Sequence, residues 1–238
     1  MDFYRAKRYD SKYIKYEESF QHNTCILADD DKQICGVLEY DIKNVEEAEI
    51  INFRLFETSK GNEIFKGLLD EIKYWNPYLK KIFYDELNNF IQEKYLIGYG
   101  FVRESKWVFE VKDALDVFKI NIEDIKVEQL TVEEDKFLMA SSWIKEPKDI
   151  VICCIRIDDR VVCIDGYSRL MAAYKKGFKY VYVFLDKDGD MDFFRNCINW
   201  CEEENIFSIK DLENRIVSSA EHEKLWISRC QDYLKNQK

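Results

Sequence analysis

A short apolar run that stops at a glycine, directly before a helical pattern, is the feature that most constrains the fold of this chain. Residues 161–164 read Val-Val-Cys-Ile and predict a buried strand, which Asp165 and Gly166 end. A helical pattern with Arg169 in its first turn follows at once and runs to Lys176. A strand that passes through a tight turn into a helix is typical of α/β folds. The second half is therefore predicted to be an α/β domain.

The same segment predicts a site for an anion. Glycine lets a ligand approach the backbone closely, and the unpaired N–H groups at the start of a helix attract negative charge. An arginine adds a planar fork of donors that suits phosphate oxygens. We therefore predict a phosphate or nucleotide site formed by Asp165, Gly166, Tyr167, Ser168 and Arg169.

A structural interpretation of these residues stays open. Asp165 and Gly166 would then form a plain strand-to-helix turn, with Asp165 capping the helix. Arg169 would pair with an acidic neighbour, and Tyr167 would pack against the protein rather than stack on a base.

Bulk composition limits the classes of function. The chain has 238 residues, which is enough for one large domain or two small ones, and 47% of them are apolar. No apolar run reaches the ~20 residues of a membrane span, and the N-terminus lacks the apolar core of a secretion signal. We therefore expect a cytoplasmic protein with no membrane partner. A net charge of −10 disfavours non-specific nucleic-acid binding, and the expected partner is a small molecule.

Most of the eight cysteines lie in apolar runs, as small buried residues do. Cys197 and Cys201 are four residues apart, on one face of a predicted helix. Together with His222 and Cys230 they form a set of side chains that could hold zinc. The set lacks the tight Cys-x-x-Cys spacing of structural zinc sites, so we predict no metal.

The first half alternates strand and helix patterns. Two β-rich runs, residues 25–28 and 33–40, flank an acidic turn and predict a hairpin. Residues 48–56 predict a further strand, which the break at Ser59, Lys60, Gly61 and Asn62 separates from an amphipathic helix reaching Trp75. The remaining predicted elements of this half are a strand at 81–84, a helix at 87–96, a turn at 98–100, and strands at 101–102 and 107–111.

This order of elements resembles the GNAT acetyltransferase family over residues 24–111. The family holds the pyrophosphate of acetyl-coenzyme A on backbone N–H groups, in a loop that usually reads Arg/Gln-x-x-Gly-x-Gly/Ala. The resemblance implies that the break at 59–62 binds acetyl-coenzyme A, with Gly61 at a glycine position of that loop. Thr58 and Glu63 depart from the family pattern, and Glu63 places a carboxylate beside the expected pyrophosphate.

A tyrosine shortly before a Gly-Phe pair strengthens the resemblance. The segment around Tyr95, which ends in Gly100-Phe101, is similar to the end of the family's catalytic motif. The resemblance implies that Tyr95 protonates the thiolate of coenzyme A after transfer. The family's tyrosine usually lies one residue later, where this chain has Leu96.

The second half resembles the ParB/sulfiredoxin superfamily over residues 125–186, with a strand, a helix, a hairpin and then Asp-Gly-x-x-Arg. The resemblance implies that Gly166–Arg169 grips the phosphates of a nucleotide such as ATP, ADP or CTP. Tyr167 stands where sulfiredoxins have a cysteine and ParB proteins a glutamate. The superfamily's serine kinases read Asp-Gly-His-His-Arg, and such a kinase also needs a carboxylate base. Glu133 and Glu134 are the candidates for that base, although both lie in the segment where Thr131 and Glu134 form a capping-box pattern.

These patterns predict an α/β (α+β) protein with a GNAT-like mixed-sheet domain at 1–112 and a connector at 113–124. A ParB/sulfiredoxin-like nucleotide-binding domain at 125–186 and a helical extension at 187–238 follow, and the extension has predicted helices at 191–203, 209–218 and 222–234. The predicted function is binding of a nucleotide or phosphate ligand, with a degenerate acyl-coenzyme A module. Three alternatives remain: an active N-acetyltransferase, a small-molecule hydroxyl kinase using ATP or ADP, and a non-catalytic interaction protein that docks through the aromatic C-terminal helices.

Overall fold

The computed structural model of this chain describes residues 1–6, 25–85, 91–187 and 189–236. These residues form two compact units, Met1–Leu115 and Asp116–Lys238, and each unit is an α/β arrangement with a mixed sheet. Within the described ranges, no helix is both long enough and apolar enough to cross a membrane.

A seven-stranded sheet forms the base of the first unit. In chain order its strands are β1 (Asp2–Arg5), β2 (Cys25–Asp30), β3 (Gln33–Asn44), β4 (Glu47–Leu55), β5 (Lys81–Tyr84), β6 (Val102–Arg103) and β7 (Trp107–Glu110). Across the sheet they follow the order β1-β2-β3-β4-β5-β7-β6. All neighbours are antiparallel except β4 and β5, which run parallel. The predicted hairpin is confirmed as β2–β3.

One long helix, α1 (Gly61–Trp75), packs on this sheet through the apolar stripe that its sequence predicts. Its buried stripe meets β3 at Gly36, where an added Cβ would collide with Ile64. The absence of a side chain at Gly36 therefore sets how closely helix and sheet approach. Trp75 ends the predicted stripe, but it is 44% exposed because the helix ends there. The buried members of the stripe are Ile64, Phe65, Leu68, Leu69 and Ile72.

The second helix of this unit, α2 (Glu93–Tyr99), differs from the predicted helix at 87–96. Residues 86–90 lie outside the described residues, and the described helix runs three residues further than predicted. Gly98 and Tyr99, expected in a turn, are helical. Gly100 ends the helix in the left-handed region, with φ of 111°.

A five-stranded sheet forms the base of the second unit. Its strands are β8 (Val117–Asn121), β9 (Ile125–Val127), β11 (Val151–Ile157), β12 (Arg160–Asp165) and β13 (Tyr180–Leu185), while β10 (Val132–Glu133) and β14 (Ile216–Val217) pair separately. Across the larger sheet the order is β8-β13-β11-β12-β9. The predicted connector at 113–124 thus contains an edge strand, because β8 pairs with β13 from Val117 to Asn121.

Five α-helices and one π-helical turn are among the described elements of the second unit. They are α3 (Glu134–Trp143), α4 (Tyr167–Lys175), α5 (Met191–Glu203), α6 (Ser219–His222) and α7 (Ser228–Asn236), with a π-helical turn at Glu223–Ile227 between the last two. The predicted capping box at the start of α3 is wrong. Glu133 is the residue before the helix, and Thr131 instead bonds His222 through Oγ1 and Nδ1 at 2.9 Å.

The predicted helical extension is part of the second unit's core. Cys197, Cys201 and Trp226 are buried in the same cluster as the strands of the larger sheet. The predicted helix at 209–218 is wrong, since Ile209–Leu212 is a 3-10 turn and Ile216–Val217 is β14, which pairs in parallel with β10. The aromatic rings of this region pack on one another, as core residues do, which removes the basis for the predicted docking face.

Candidate functional site

The start of α1 is where the predicted acetyl-coenzyme A residues lie. The pairing of β4 with β5 ends at Ile50 and Tyr84, and β4 runs on to Leu55 before the chain turns toward the helix. Glu57 holds this turn, since its carboxylate accepts a hydrogen bond from the Ser59 N–H at 2.8 Å. Lys60 precedes the helix and provides no side-chain cap. The Gly61 N–H donates to the Thr58 carbonyl at 3.3 Å, and among the described residues Lys60 leaves the following N–H groups of the first turn of α1 uncapped.

Tyr95 lies directly against this helix start. A Cβ added to Gly61 would stand 2.5 Å from the Tyr95 hydroxyl and 2.9 Å from its ring carbon Cε1. Tyr95 is buried, and its ring packs edge-on against Phe53 of β4 at a centroid distance of 6.1 Å. Only glycine leaves room for this hydroxyl. The structure thus brings together Gly61 and Tyr95, which the sequence assigned to cofactor binding and catalysis.

The charges around the helix start are mixed. Glu63 lies in the first turn of α1, while the Lys60 ammonium pairs with Asp30 at 2.7 Å. This exposed pair raises the pKa of Lys60 and lowers that of Asp30, chiefly through their hydrogen bond. Lys94 lies over the Tyr95 ring, with its Nζ 4.8 Å from the centroid. Ser59 and Asn62 are exposed at the same end of the helix.

The predicted phosphate residues of the second unit lie at the start of α4. Gly166 precedes the helix with φ of 101°, a conformation that favours glycine, and no side chain caps the helix. The interpretation in which Asp165 caps α4 is therefore wrong. Asp165 instead accepts a hydrogen bond on Oδ2 from Arg169 Nη2, at 2.9 Å.

The Arg169 guanidinium is used inside the protein. Its Nη1 donates to the Val151 carbonyl at 2.9 Å, and β11–β12 pairing begins only at Cys153 with Asp165. The guanidinium also covers Gly166, where an added Cβ would lie 3.0 Å from Arg169 Nη2. Arg169 thus pairs with the acidic neighbour Asp165, as the structural interpretation expects. It also contacts the Val151 carbonyl, which the sequence did not predict. Nucleotide binding at 165–169 stays a prediction without geometric support.

Tyr167 and Glu134 do not line a shared site. Tyr167 is buried, donates to the Cys163 carbonyl at 2.6 Å and accepts from the Glu128 N–H at 2.7 Å, so it is a core residue. Glu134 is exposed in the first turn of α3, and Ser168 is half-buried in α4. The catalytic role of Glu134 stays a prediction.

We expect Arg169→Ala to lower the free energy of unfolding by about 2 kcal/mol, because the Val151 carbonyl loses a charged donor. Urea denaturation measures the change. The matched control is Arg195→Ala, which removes an exposed pair with Asp158 and should cost less than about 1 kcal/mol. Unchanged stability of the Arg169 variant, with loss of wild-type binding heat from ATP, ADP or CTP, would instead favour the phosphate interpretation.

Sequence reasoning missed one buried acid. Glu128 is 4% exposed, and burial raises its pKa to about 8. Glu128 lies near Cys197 and Cys230, two of the four side chains that the sequence suggested for zinc. His222, another of those four, forms a hydrogen bond with Thr131 instead. In the described ranges, no three His, Cys, Asp or Glu side chains are arranged to hold a metal ion. The only sequence signal for this acid was a glutamate inside a strand-like alternating run.

Several solved structures share part of the arrangement of this chain. YhhK of E. coli, solved bound to coenzyme A, is 13% identical over 37% of this chain and 70% of its own, with a TM-score of 0.32. A GNAT family acetyltransferase from Bacillus cereus ATCC 10987 is 16% identical over 47% of this chain and 96% of its own, with a TM-score of 0.34.

A third match is the protein Atu1540 of Agrobacterium tumefaciens, which is 14% identical over 43% of this chain, with a TM-score of 0.29. This chain covers 62% of the length of that protein. No family profile matches the chain, and no curated protein matches it significantly.

Proposed function

We propose that the first unit binds an acyl-coenzyme A at the start of α1 and transfers its acyl group to a small acceptor. The observation that carries the proposal is the Tyr95 hydroxyl beside Gly61, at a helix start that no side chain caps. Backbone N–H groups and a tyrosine hydroxyl are all donors, and a pyrophosphate offers only acceptors to them. The site therefore has the polarity that such a ligand needs.

The residues at the start of α1 fit a pyrophosphate and predict that it binds with moderate affinity. The 15-residue helix α1 contributes the positive end of its dipole, and Lys94 adds a cation beside the Tyr95 ring. Glu63 opposes both, because its carboxylate lies in the same first turn. Lys60 is already paired with Asp30 and offsets Glu63 only in part. We therefore expect binding in the micromolar range or weaker, not the tight binding of an unopposed helix start.

The resemblance to GNAT acetyltransferases supports the reaction assigned here. The bound thioester would supply an activated acyl group, which an amine attacks to give an amide and the coenzyme A thiol. The pantetheine arm separates the pyrophosphate of coenzyme A from its thiol, so the Tyr95 hydroxyl would serve either as a hydrogen-bond donor to the pyrophosphate or as a proton source for the departing thiolate, and not as both. Burial of the ring against Phe53 keeps that hydroxyl in place.

Acetyl-coenzyme A binding tests the proposal. At about 100 times its dissociation constant, the ligand should stabilise the wild-type chain by roughly 2.7 kcal/mol, seen as a rise in melting temperature. We expect Gly61→Ala to weaken binding by about tenfold or more, because the new Cβ displaces the Tyr95 hydroxyl from the helix start.

Gly98→Ala is the matched control, because an added Cβ there meets nothing within 4 Å. It should bind as the wild type does. Tyr95→Phe separates the two uses of the hydroxyl: weaker binding indicates contact with the cofactor, while lost turnover at unchanged KM indicates proton donation. Absence of any thermal shift of the wild type with millimolar acetyl-coenzyme A would rule out the proposed function.

A further inference from the structure

Two helices of the second unit pack side by side in opposite directions. Phe193 near the start of α5 contacts Tyr233 near the end of α7, with ring centroids 6.0 Å apart. Trp200, late in α5, contacts Trp226 just before α7, with centroids 6.3 Å apart. These two contacts fix the register of the antiparallel pair.

Cys197 and Cys230 lie at the same level of this pair, between the two aromatic contacts. Cys197 lies four residues after Phe193 and three before Trp200. Cys230 lies four residues after Trp226 and three before Tyr233. Such positions share one helix face with both rings, so the two thiols face each other. Cys197 is fully buried, and Cys230 is half-buried.

The two thiols already interact. The Cys197 thiol donates a hydrogen bond to the Cys230 sulfur, which lowers the pKa of Cys230, and the Arg229 cation acts in the same direction. The other half-buried thiol, Cys153, is different, because burial raises its pKa to about 12. Cys230 therefore combines access from solvent with a lowered thiol pKa, the two properties that favour oxidation of a cysteine.

A buried acid completes the cluster. Glu128 lies within hydrogen-bond reach of Cys197, and its Oε2 is buried with no hydrogen-bond partner in the described structure. A carboxyl group left this way costs stability, so it is not explained by packing alone. Burial keeps this carboxyl protonated near neutral pH, so it lies beside Cys197 as a neutral acid.

We propose that Cys230 and Cys197 form an oxidisable thiol pair, in which Cys230 reacts with a hydroperoxide and Cys197 then closes a disulfide. This site lies in the second unit and is independent of acyl-coenzyme A binding in the first. Its co-reactant is a peroxide, either hydrogen peroxide or an organic hydroperoxide.

The chemistry balances in two steps. The Cys230 sulfur attacks one peroxide oxygen, the O–O bond breaks, and the departing oxygen takes up the proton released from Cys230 to form water or an alcohol. The Cys197 sulfur then attacks the Cys230 sulfenic acid, the S–O bond breaks, and the hydroxyl leaves as water with the proton from Cys197. Two thiols lose two electrons in total, and the peroxide gains them.

Thiol counting and peptide mapping test the pair on the full chain. After one equivalent of hydrogen peroxide, we expect the wild type to lose two of its eight thiols, and dithiothreitol to restore them. Mass spectrometry should find the Cys197 and Cys230 peptides linked. In Cys197→Ala, dimedone should label Cys230 as a sulfenic acid, and Cys153 should stay largely unlabelled.

Cys201→Ala is the matched control, because Cys201 is equally buried on α5, one turn after Cys197. It should still lose two thiols to the same linkage. A linkage through any other cysteine, equal labelling of Cys153, or no thiol loss in the folded wild type would overturn the proposal.

Discussion

Between pH 5 and pH 8, the free energy of unfolding of the wild-type chain should fall by about 4 kcal/mol more than that of Glu128→Gln. Burial raises the pKa of Glu128 from its ordinary value of 4.5 to about 8. Across this window the folded chain keeps the carboxyl protonated, while the unfolded chain ionises it. Unfolding therefore releases a proton, and stability is lost as pH rises until the folded group itself ionises near pH 8.

The groups around Glu128 do not add their own titration in this window. The hydrogen bond with Cys230, followed by burial, raises the pKa of Cys197, and burial raises the pKa of Cys201 and Tyr167, so all three stay neutral up to pH 8. Cys230 has a lowered pKa and is the neighbour most able to ionise there. Its contribution is common to both chains and cancels in the comparison to a first approximation.

Urea denaturation at four pH values measures this difference. Glu134→Gln is the control, since Glu134 is exposed and its profile should follow that of the wild type. Parallel profiles for the wild type and Glu128→Gln would show that Glu128 is ionised in the folded chain, contrary to its buried position.

We expect Tyr167→Phe to lower the free energy of unfolding by about 3 kcal/mol. The Tyr167 hydroxyl donates to the Cys163 carbonyl at 2.6 Å and accepts from the Glu128 N–H at 2.7 Å. Phenylalanine fills the same space but leaves a buried acceptor and a buried donor without partners. Each such group costs about 1–3 kcal/mol, because water cannot reach it.

Tyr182→Phe is the matched control. Tyr182 is half-buried on β13 and packs against Tyr180 with ring centroids 6.0 Å apart. Its variant should unfold within about 0.5 kcal/mol of the wild type, as surface substitutions usually do. Equal stability of Tyr167→Phe and Tyr182→Phe would contradict the core role of Tyr167 and return it to the ligand interpretation.

Sequence patterns correctly predicted the elements that depend only on residues close to one another in the chain. The hairpin β11–β12 has Asp158 and Asp159 at its turn, and both take positive φ values of 48° and 63°, as a two-residue turn requires. The stripe on α1 and the Gly166 turn before α4 were predicted for the same reason. Each depends on residues within one or two turns of chain.

The predictions that failed depend on partners far away in sequence. The segment at 209–218 looked helical, but Ile216 pairs with Val132 of β10 and is drawn into a strand. Thr131 was predicted to cap α3, but its hydroxyl forms a hydrogen bond with His222, which lies 91 residues later in the chain. A hydrophobic period reports that a side chain is buried, and it does not report what the side chain meets.

The amino-acid sequence alone determined the α/β class, the strand-to-helix turn at Gly166 and the helix start at Gly61, because glycine and apolar periodicity act over a few residues. Only the tertiary structure decided the use of the remaining side chains. In the folded chain Arg169 donates a hydrogen bond to the Val151 carbonyl, and the Tyr95 hydroxyl lies beside Gly61. Those contacts join residues 18 and 34 positions apart, and their geometry exists only once the strands and helices have packed.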